Sequence, residues 1–313
     1  METDTAPNLT PKTFRFTNID EFRSSVRNLA VDFTPLVRRI SAEQTVLNLA
    51  GCSINLTRSF PRIIDGSFAA NCTAIGFTMD DGVPIRFNGV ERDQSVVVIG
   101  SHGAAYSSVE PAERQYVSIV FTPSVENRGW PQAAESFKMF ETSSAAHLRL
   151  RELVRQVLSR APLLANDVNS SEASSAIRES VLAALDATFA AIIPTRWASH
   201  VNNGRQFKIF RDLDAVLSSS ISRPIYSEEL AGQVGVSVRS VHDAVLRYRG
   251  MSLHRYLRLR RLWLVRKRLL AGADSVKACA LAFGFWHLGD FSRSYRAQFG
   301  ESPSETMAKA RVG

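Results

Sequence analysis

The side chains with the most evident chemistry in this chain are basic. Residues Leu253–Leu270, LHRYLRLRRLWLVRKRLL, hold seven Arg or Lys. Leu262, Val265 and Leu269 can face a core while the long basic stems cover its flanks. Residues 205–313 carry 19 Lys or Arg against 9 Asp or Glu, a net +10. Residues 1–204 carry 19 against 21, a net −2, so the whole excess of +8 lies in the last third. A basic segment joined to a near-neutral one predicts a polyanionic partner for the basic part alone. The competing reading is a solvated basic surface.

Other chemistries have little support. Cys52, Cys72 and Cys279 are scattered, without metal-type spacing or a disulfide framework. A metal-dependent cupin enzyme would need clustered His and Glu on strands, and the β-rich region has the single histidine His102. His254 and His287 do not suggest a metal either. G-x-S-x-G, a P-loop and a supported Cys–His pair are all missing. The expectation is therefore no enzyme, no metal and no cofactor. The longest apolar runs, such as Val96–Ile99 and Ala190–Ile193, are too short to span a bilayer, so no membrane partner is expected. The N-terminal residues do not read as a signal peptide, which makes the cytoplasm the default compartment.

The chain length of 313 residues predicts two domains. Residues 1–12 read as disordered. The first domain covers 13–197 and is β-rich over 13–125. There Val46–Leu56, Thr73–Met79, Ser95–Ile99 and Gln115–Phe121 are separated by turn signals at Asp80-Asp81-Gly82, Asn88-Gly89 and Ser101-His102-Gly103. That spacing predicts a small antiparallel barrel or sandwich. Residues 133–193 read as helix. One stripe is Leu148, Leu150, Leu153, Val157 and Leu158; another is Ile177, Val181, Leu182, Leu185 and Phe189; Asn166–Ser171 separates them. This helix pair packs on the sheet or on a second copy of itself. Residues 198–204 are the linker, and everything beyond reads helical, so the fold class is α+β.

The helical part contains an internal repeat. In Ser227–Gly250, Ser227 caps a helix whose first turn holds Glu228 and Glu229. Gly235 supplies a turn, Ser237 caps the next helix, and Val241 and Val245 face the core. Ala280 lies 49 residues after Ala231 and Gly284 lies 49 after Gly235. Past the turn the offset becomes 50, matching Phe291 to Val241 and Tyr295 to Val245. Phe291, Tyr295 and Phe299 form a core stripe. Ser302-Pro303-Ser304-Glu305 reads as a capping box that opens a final helix. Two helix-turn-helix units follow, at 227–249 and 275–299, joined by a long helix.

The string GFWHLGDFSRSYRAQFGESPSET, Gly284–Thr306, resembles the signature of the AraC/XylS family of bacterial transcription regulators, and the resemblance extends over Phe207–Ala310. Trp286-His287-Leu288-Gly289 is similar to a subset that includes the ethanolamine-utilisation regulator. The resemblance implies a cupin-like N-terminal domain that binds a small-molecule effector and dimerises. It also implies a C-terminal domain, 205–313, that lays two recognition helices in successive major-groove segments of double-stranded DNA. The groove returns to one face after about 34 Å.

Carried onto matching positions, the first recognition helix is Val238–Tyr248. Arg239, His242 and Asp243 point away from its core face, with Ser237, Ser240 and Arg247 beside them. Arg239 suits guanine O6 and N7, and His242 suits a base edge. Asp243 departs from the basic residue often found there; it either accepts from a cytosine amino group or pairs with a neighbouring arginine. The second recognition helix is Leu288–Phe299. Gly289 stands where a Ser cap is common, so Asp290 is the substitute cap. Ser292, Arg293 and Arg296 are the expected base or phosphate contacts, and Leu288, Gly289 and Asp290 at the helix start belong to the same expected DNA-binding set. Trp286 is expected to pack rather than read DNA. Arg258, Arg260, Arg261, Arg266, Lys267 and Arg268 add to the field, some of them paired internally. The implied partners are DNA, a homodimer through the 133–193 helices, an effector and RNA polymerase. Two alternatives remain: a regulator with no effector, or a non-specific architectural DNA binder. Arg62, Arg86 and Trp130 are not assigned to an effector pocket.

Overall fold

The computed structural model describes residues 8–27, 29–92, 95–101, 103–125, 128–131, 137–165, 169–194, 204–219 and 225–310. The chain divides into two compact units. The first comprises Met1–Phe33, Ile40–Ile85 and Glu91–Val201; the second comprises Thr34–Arg39, Arg86–Val90 and Asn202–Gly313. Most of the expected linker, with His102, Asn166–Val168 and 133–136, lies outside the described residues.

The β-rich region contains β1 (Asn8–Phe16), α1 (Ile19–Ser25), β2 (Leu29–Pro35), β3 (Ala42–Leu49), β4 (Cys52–Ser59), β5 (Arg62–Phe68) and β6 (Thr73–Thr78). It continues through β7 (Ile85–Phe87), β8 (Val90–Arg92), β9 (Val96–Ser101), β10 (Ala105–Glu110), β11 (Arg114–Phe121) and β12 (Phe137–Glu141), then α2 (Ser144–Leu164) and α3 (Ser170–Ala190). A seven-stranded sheet runs β1-β3-β4-β11-β6-β9-β12, and a five-stranded sheet runs β2-β5-β10-β7-β8. Neighbours in the larger sheet are antiparallel throughout.

Alternation along these strands decides what each face does. Ile75 sits opposite Ile99 on one side and Ile119 on the other, and Phe77 sits opposite Val97 and Val117. These side chains form one buried cluster with Leu150, Val154 and Val157 of α2 and Val181, Leu182, Leu185 and Phe189 of α3. The helix pair therefore covers the larger sheet of its own chain. Among the inner side chains, Phe68 of β5 and Tyr106 of β10 stack on Phe137 of β12 at centroid distances of 6.2 and 5.4 Å. Gly76 lacks a side chain because the Tyr116 hydroxyl lies 1.6 Å from where its Cβ would stand. Burial raises the pKa of Tyr106 and Tyr116. Arg62 pairs with Glu110 at 2.9 Å, both buried, with the Phe33 ring 4.8 Å beneath the guanidinium.

Three expectations change. Residues 8–12 lie in β1, which pairs with β3. Val46–Leu56 is not one strand but the hairpin of β3 and β4, turned at Ala50-Gly51. The stretch read as helix from 133 includes β12, because Phe137 and Met139 alternate inward at a sheet edge beside β9.

The second unit holds α4 (Gly204–Ser219), α5 (Ser227–Val234), α6 (Val238–Arg249), α7 (Leu253–Leu270), α8 (Val276–Ala282), α9 (Leu288–Phe299) and α10 (Pro303–Lys309). Helix α7 is bound to its neighbours by charge near both ends. Arg260 donates to Asp214 of α4 at 2.7 Å, and buried Arg249 of α6 donates to Tyr256 at 3.1 Å. Arg266 donates to Glu301 at 2.7 Å, Thr306 donates to the same carboxylate, and Tyr295 of α9 donates to Thr306 at 2.9 Å. Burial pushes the Glu301 pKa up, but hydrogen bonds from Lys309, Thr306 and Arg266 outweigh it and hold the carboxyl at about 2. The carboxylate thus stays ionised as an anchor for Arg266. One helix consequently carries both helix-turn-helix units with buried or half-buried polar ties to each.

Candidate nucleic-acid interface

Helices α5 and α6 meet at Gly235, whose φ of 71° is the left-handed conformation that a side chain disfavours. Leu230 and Ala231 of α5 are buried, as are Val241, Ala244 and Val245 of α6. Ser237 caps α6 by accepting from the Ser240 amide at 3.1 Å. Ser227 does not cap α5 as expected; Tyr226 holds that position without a side-chain bond, and Ser227 is the first helical residue.

The outer face of α6 carries Arg239, His242, Asp243 and Leu246, all exposed. The Arg239 side chain is 92% exposed, and its Nε lies 3.9 Å from Asp243. Of the two roles open to Asp243, pairing with an arginine is the one the free protein displays. Ser240 is half-buried, and Arg247 is half-buried with its guanidinium on Gln206 of α4. Leu246, 57% exposed, is an outward position the sequence reading omitted. It aligns with Arg296 at the 50-residue offset.

Helices α8 and α9 repeat this design around Gly284, with φ of 78°. Phe291, Tyr295 and Phe299 pack with Leu262, Val265 and Leu269 of α7. The outer face carries Gly289, Asp290, Ser292, Arg293 and Arg296. Asp290 does not cap α9: its carboxylate pairs with Arg293, and the cap position falls to His287 without a side-chain bond. The Arg293 side chain is 81% exposed. Arg296 is also exposed, 3.8 Å from Glu305. Leu288 turns toward the α7–α9 core.

Trp286 does not pack as expected, being 66% exposed. Its neighbour Phe285 takes the packing place, with its ring 5.0 Å from Phe291. Ser302 and Glu305 form the expected capping box at α10. On α7, Arg258 bonds the Ser294 hydroxyl, Arg260 and Arg266 hold their acids, and Arg261 donates to the Leu257 carbonyl at 3.3 Å. Lys267 and Arg268 remain exposed.

Residues 230–309 match the family model described as a helix-turn-helix domain. The helix-turn-helix reading holds for this segment. The chain is 34% identical over 99 residues to XylDLEGF operon transcriptional activator 1 of Pseudomonas putida, covering 31% of this chain and 30% of that protein. It is 34% identical over 90 residues to the HTH-type transcriptional activator RhaS of Pectobacterium atrosepticum, covering 27% and 32%. A solved structure of a probable AraC family transcriptional regulator from Rhodopseudomonas palustris is 38% identical, covering 33% of this chain and 96% of that one, with a TM-score of 0.30. The chain spans about a third of the curated relatives' length, so these likenesses concern the helix-turn-helix segment alone. Among the described residues, no group of three or more His, Cys, Asp or Glu is placed to hold a metal ion. No helix among them is long and apolar enough to cross a membrane.

Proposed function

We propose that the whole chain is a sequence-specific, DNA-binding transcription regulator of the AraC/XylS type, acting as a ligand-responsive activator in the cytoplasm. The observation that carries this reading is the pair of outward polar faces, on α6 and α9, tied to the single helix α7. Two reading heads held at a fixed separation suit successive major-groove segments of one duplex. Arg239 and His242 read base edges, with Asp243 accepting from a cytosine amino group once Arg239 turns to a guanine. Ser237, Ser240, Ser292, Arg293 and Arg296 hold phosphates and set register, with Gly289 and Asp290 beside them. Arg247 and Leu288 support these helices from the side rather than touching DNA.

The finer assignments follow from the same reading. The first unit senses an effector, and copies pair through the 133–193 helices, where Leu148 and Leu163 are 57% and 80% exposed. Light scattering on the full chain at micromolar concentration tests this pairing; a monomer overturns it. Contact with RNA polymerase is the route to activation. Trp286-His287-Leu288-Gly289 supports a place near the ethanolamine-utilisation regulator subset.

The deciding experiment is genome-wide mapping of sites bound by the full-length protein, followed by footprinting on the recovered sequence. A bipartite footprint on one duplex face is expected. Salt-dependent coating without sequence preference overturns the reading and favours an architectural binder.

A further inference from the structure

The inner faces of the two sheets carry aromatic rings and the Arg62–Glu110 pair, and a cavity of about 370 Å³ opens elsewhere in the first unit. It lies where the Ala50-Gly51 turn, the loop after β11 and helix α3 converge, and is lined by Gly51, Ser124, Val125, Ser175, Arg178 and Leu182 among others. Its volume falls within the range of small-molecule sites.

The lining has a distinct chemistry. Leu182 is 1% exposed and Val125 9%, giving an apolar wall. The turn is held in place, since Ser174 of α3 accepts from the Ala50 amide at 2.9 Å and the Thr122 amide donates to the Gly51 carbonyl at 3.2 Å. The Ser124 hydroxyl oxygen is buried and has no hydrogen-bond partner among the described residues, a state that favours a ligand able to bond it.

Two arginines border the cavity, and they differ. Arg128 is matched by Asp186 through two bonds of 3.1 and 2.6 Å, and Trp130 donates to the same carboxylate at 2.7 Å. Those bonds, Arg128 first, hold Asp186 below the usual carboxylate range. Arg178 is tied only loosely. It pairs with Glu179, whose side chain is 61% exposed. An exposed pair of this kind holds its geometry weakly. The Arg178 Nε lies 4.0 Å from where a Cβ on Gly51 would stand, over the turn that bounds the cavity.

We propose that this cavity binds a small organic carboxylate, its anion on Arg178 and the Ser124 hydroxyl, its apolar body against Val125 and Leu182. A guanidinium beside a hydroxyl suits a carboxylate, and the greasy wall selects against a bare inorganic anion. The proposal does not depend on the DNA-binding reading, because it concerns binding to the first unit alone.

The test uses the full-length protein with 13C-labelled Leu and Val methyl groups, titrated with cyclohexanecarboxylate. Saturable shifts of the Leu182 and Val125 methyls are expected. Arg178→Met should weaken binding about tenfold or more, while Arg178→Lys, which keeps the charge, should retain most of it. Ser175→Phe, at an exposed lining position, should block the cavity with Arg178 intact. Cyclohexanecarboxamide and inorganic phosphate should each bind about tenfold more weakly. Unchanged thermal midpoints verify that the variants fold. Absence of saturable shifts, equal binding by the amide or by phosphate, or wild-type binding in both Arg178→Met and Ser175→Phe would overturn the proposal.

Discussion

The two recognition helices share a plan and differ in nearly every outward residue. At the 50-residue offset, Arg239 faces Gly289, His242 faces Ser292, Asp243 faces Arg293 and Leu246 faces Arg296. The first helix places its guanidinium in its opening turn and tempers it with Asp243 one turn on. The second begins with a bare glycine and places both guanidiniums further along. Arg239 and Asp243 cancel on the first face, whereas Asp290 offsets only one of Arg293 and Arg296 and leaves the second with one net positive charge. Base reading needs shape and paired donors and acceptors, whereas phosphate anchoring needs net positive charge. The contrast fits the proposal that α6 reads bases and α9 anchors on phosphates.

The supports beneath the helices also differ, and the largest expected effects lie there. Helix α9 stands on Phe291, Tyr295 and Phe299, with consecutive ring centroids 5.6 and 4.5 Å apart. Helix α6 stands on Val241 and Val245, with Tyr248 stacked on Phe210 of α4 at 4.6 Å. Phe291→Ala should destabilise the protein by about 3–5 kcal/mol. Val241→Ala removes two methyl groups and should cost roughly 2 kcal/mol. Urea unfolding of the full-length variants measures both. Equal losses would mean that the two helices are equally supported, and the contrast would fail.

The next effects concern DNA. Arg239→Ala should weaken binding to the preferred site by about 1–3 kcal/mol and leave random DNA nearly unaffected. Arg293→Gln and Arg296→Gln should weaken both kinds of binding alike, each lowering the salt dependence by about one phosphate contact. Titrations at several salt concentrations separate the two patterns. If Arg239→Ala lowers the salt slope and Arg293→Gln does not, reader and anchor exchange roles.

How much of this was legible in the sequence follows from how local each signal is. The repeat, its Gly turns, the Ser237 cap and the Ser302–Glu305 box depend on residues within a few positions of one another, and the structure carries them as read. Strand β12 was missed because FKMFE gains its register only from β9, some forty residues earlier. The hairpin at Ala50-Gly51 was missed because an apolar run continues through the turn. At the interface, the outward directions of Arg239, His242, Ser292 and Arg293 followed from helical period. Their partners did not. That Arg247 leans on Gln206, and that Phe285 rather than Trp286 packs on Phe291, depends on side chains brought together by tertiary packing. The Asp214 tie to Arg249 and Arg260 joins α4, α6 and α7, and no spacing rule reaches across three helices.

The smallest expected effect bears on how each helix begins. Ser237 accepts from the Ser240 amide at 3.1 Å, whereas His287 adopts the extended cap backbone, φ −97° and ψ 93°, without a side-chain bond. A cap oxygen satisfies one of the orphan amides of the first turn, and its loss costs about 1 kcal/mol. Ser237→Ala should therefore speed hydrogen exchange at the Ser240 amide about fivefold, the factor that corresponds to that energy. His287→Ser should do the reverse at the opening of α9, slowing exchange at the Asp290 amide. The two substitutions together should move the side-chain cap from α6 to α9 while leaving Arg239, His242, Ser292, Arg293 and Arg296 in place. If DNA affinity then rises with the His287→Ser cap, the loose start of α9 costs binding and the second helix orders on the phosphates. If affinity is unchanged, His287 occupies a helix start that is already fixed by the aromatic stripe beneath it.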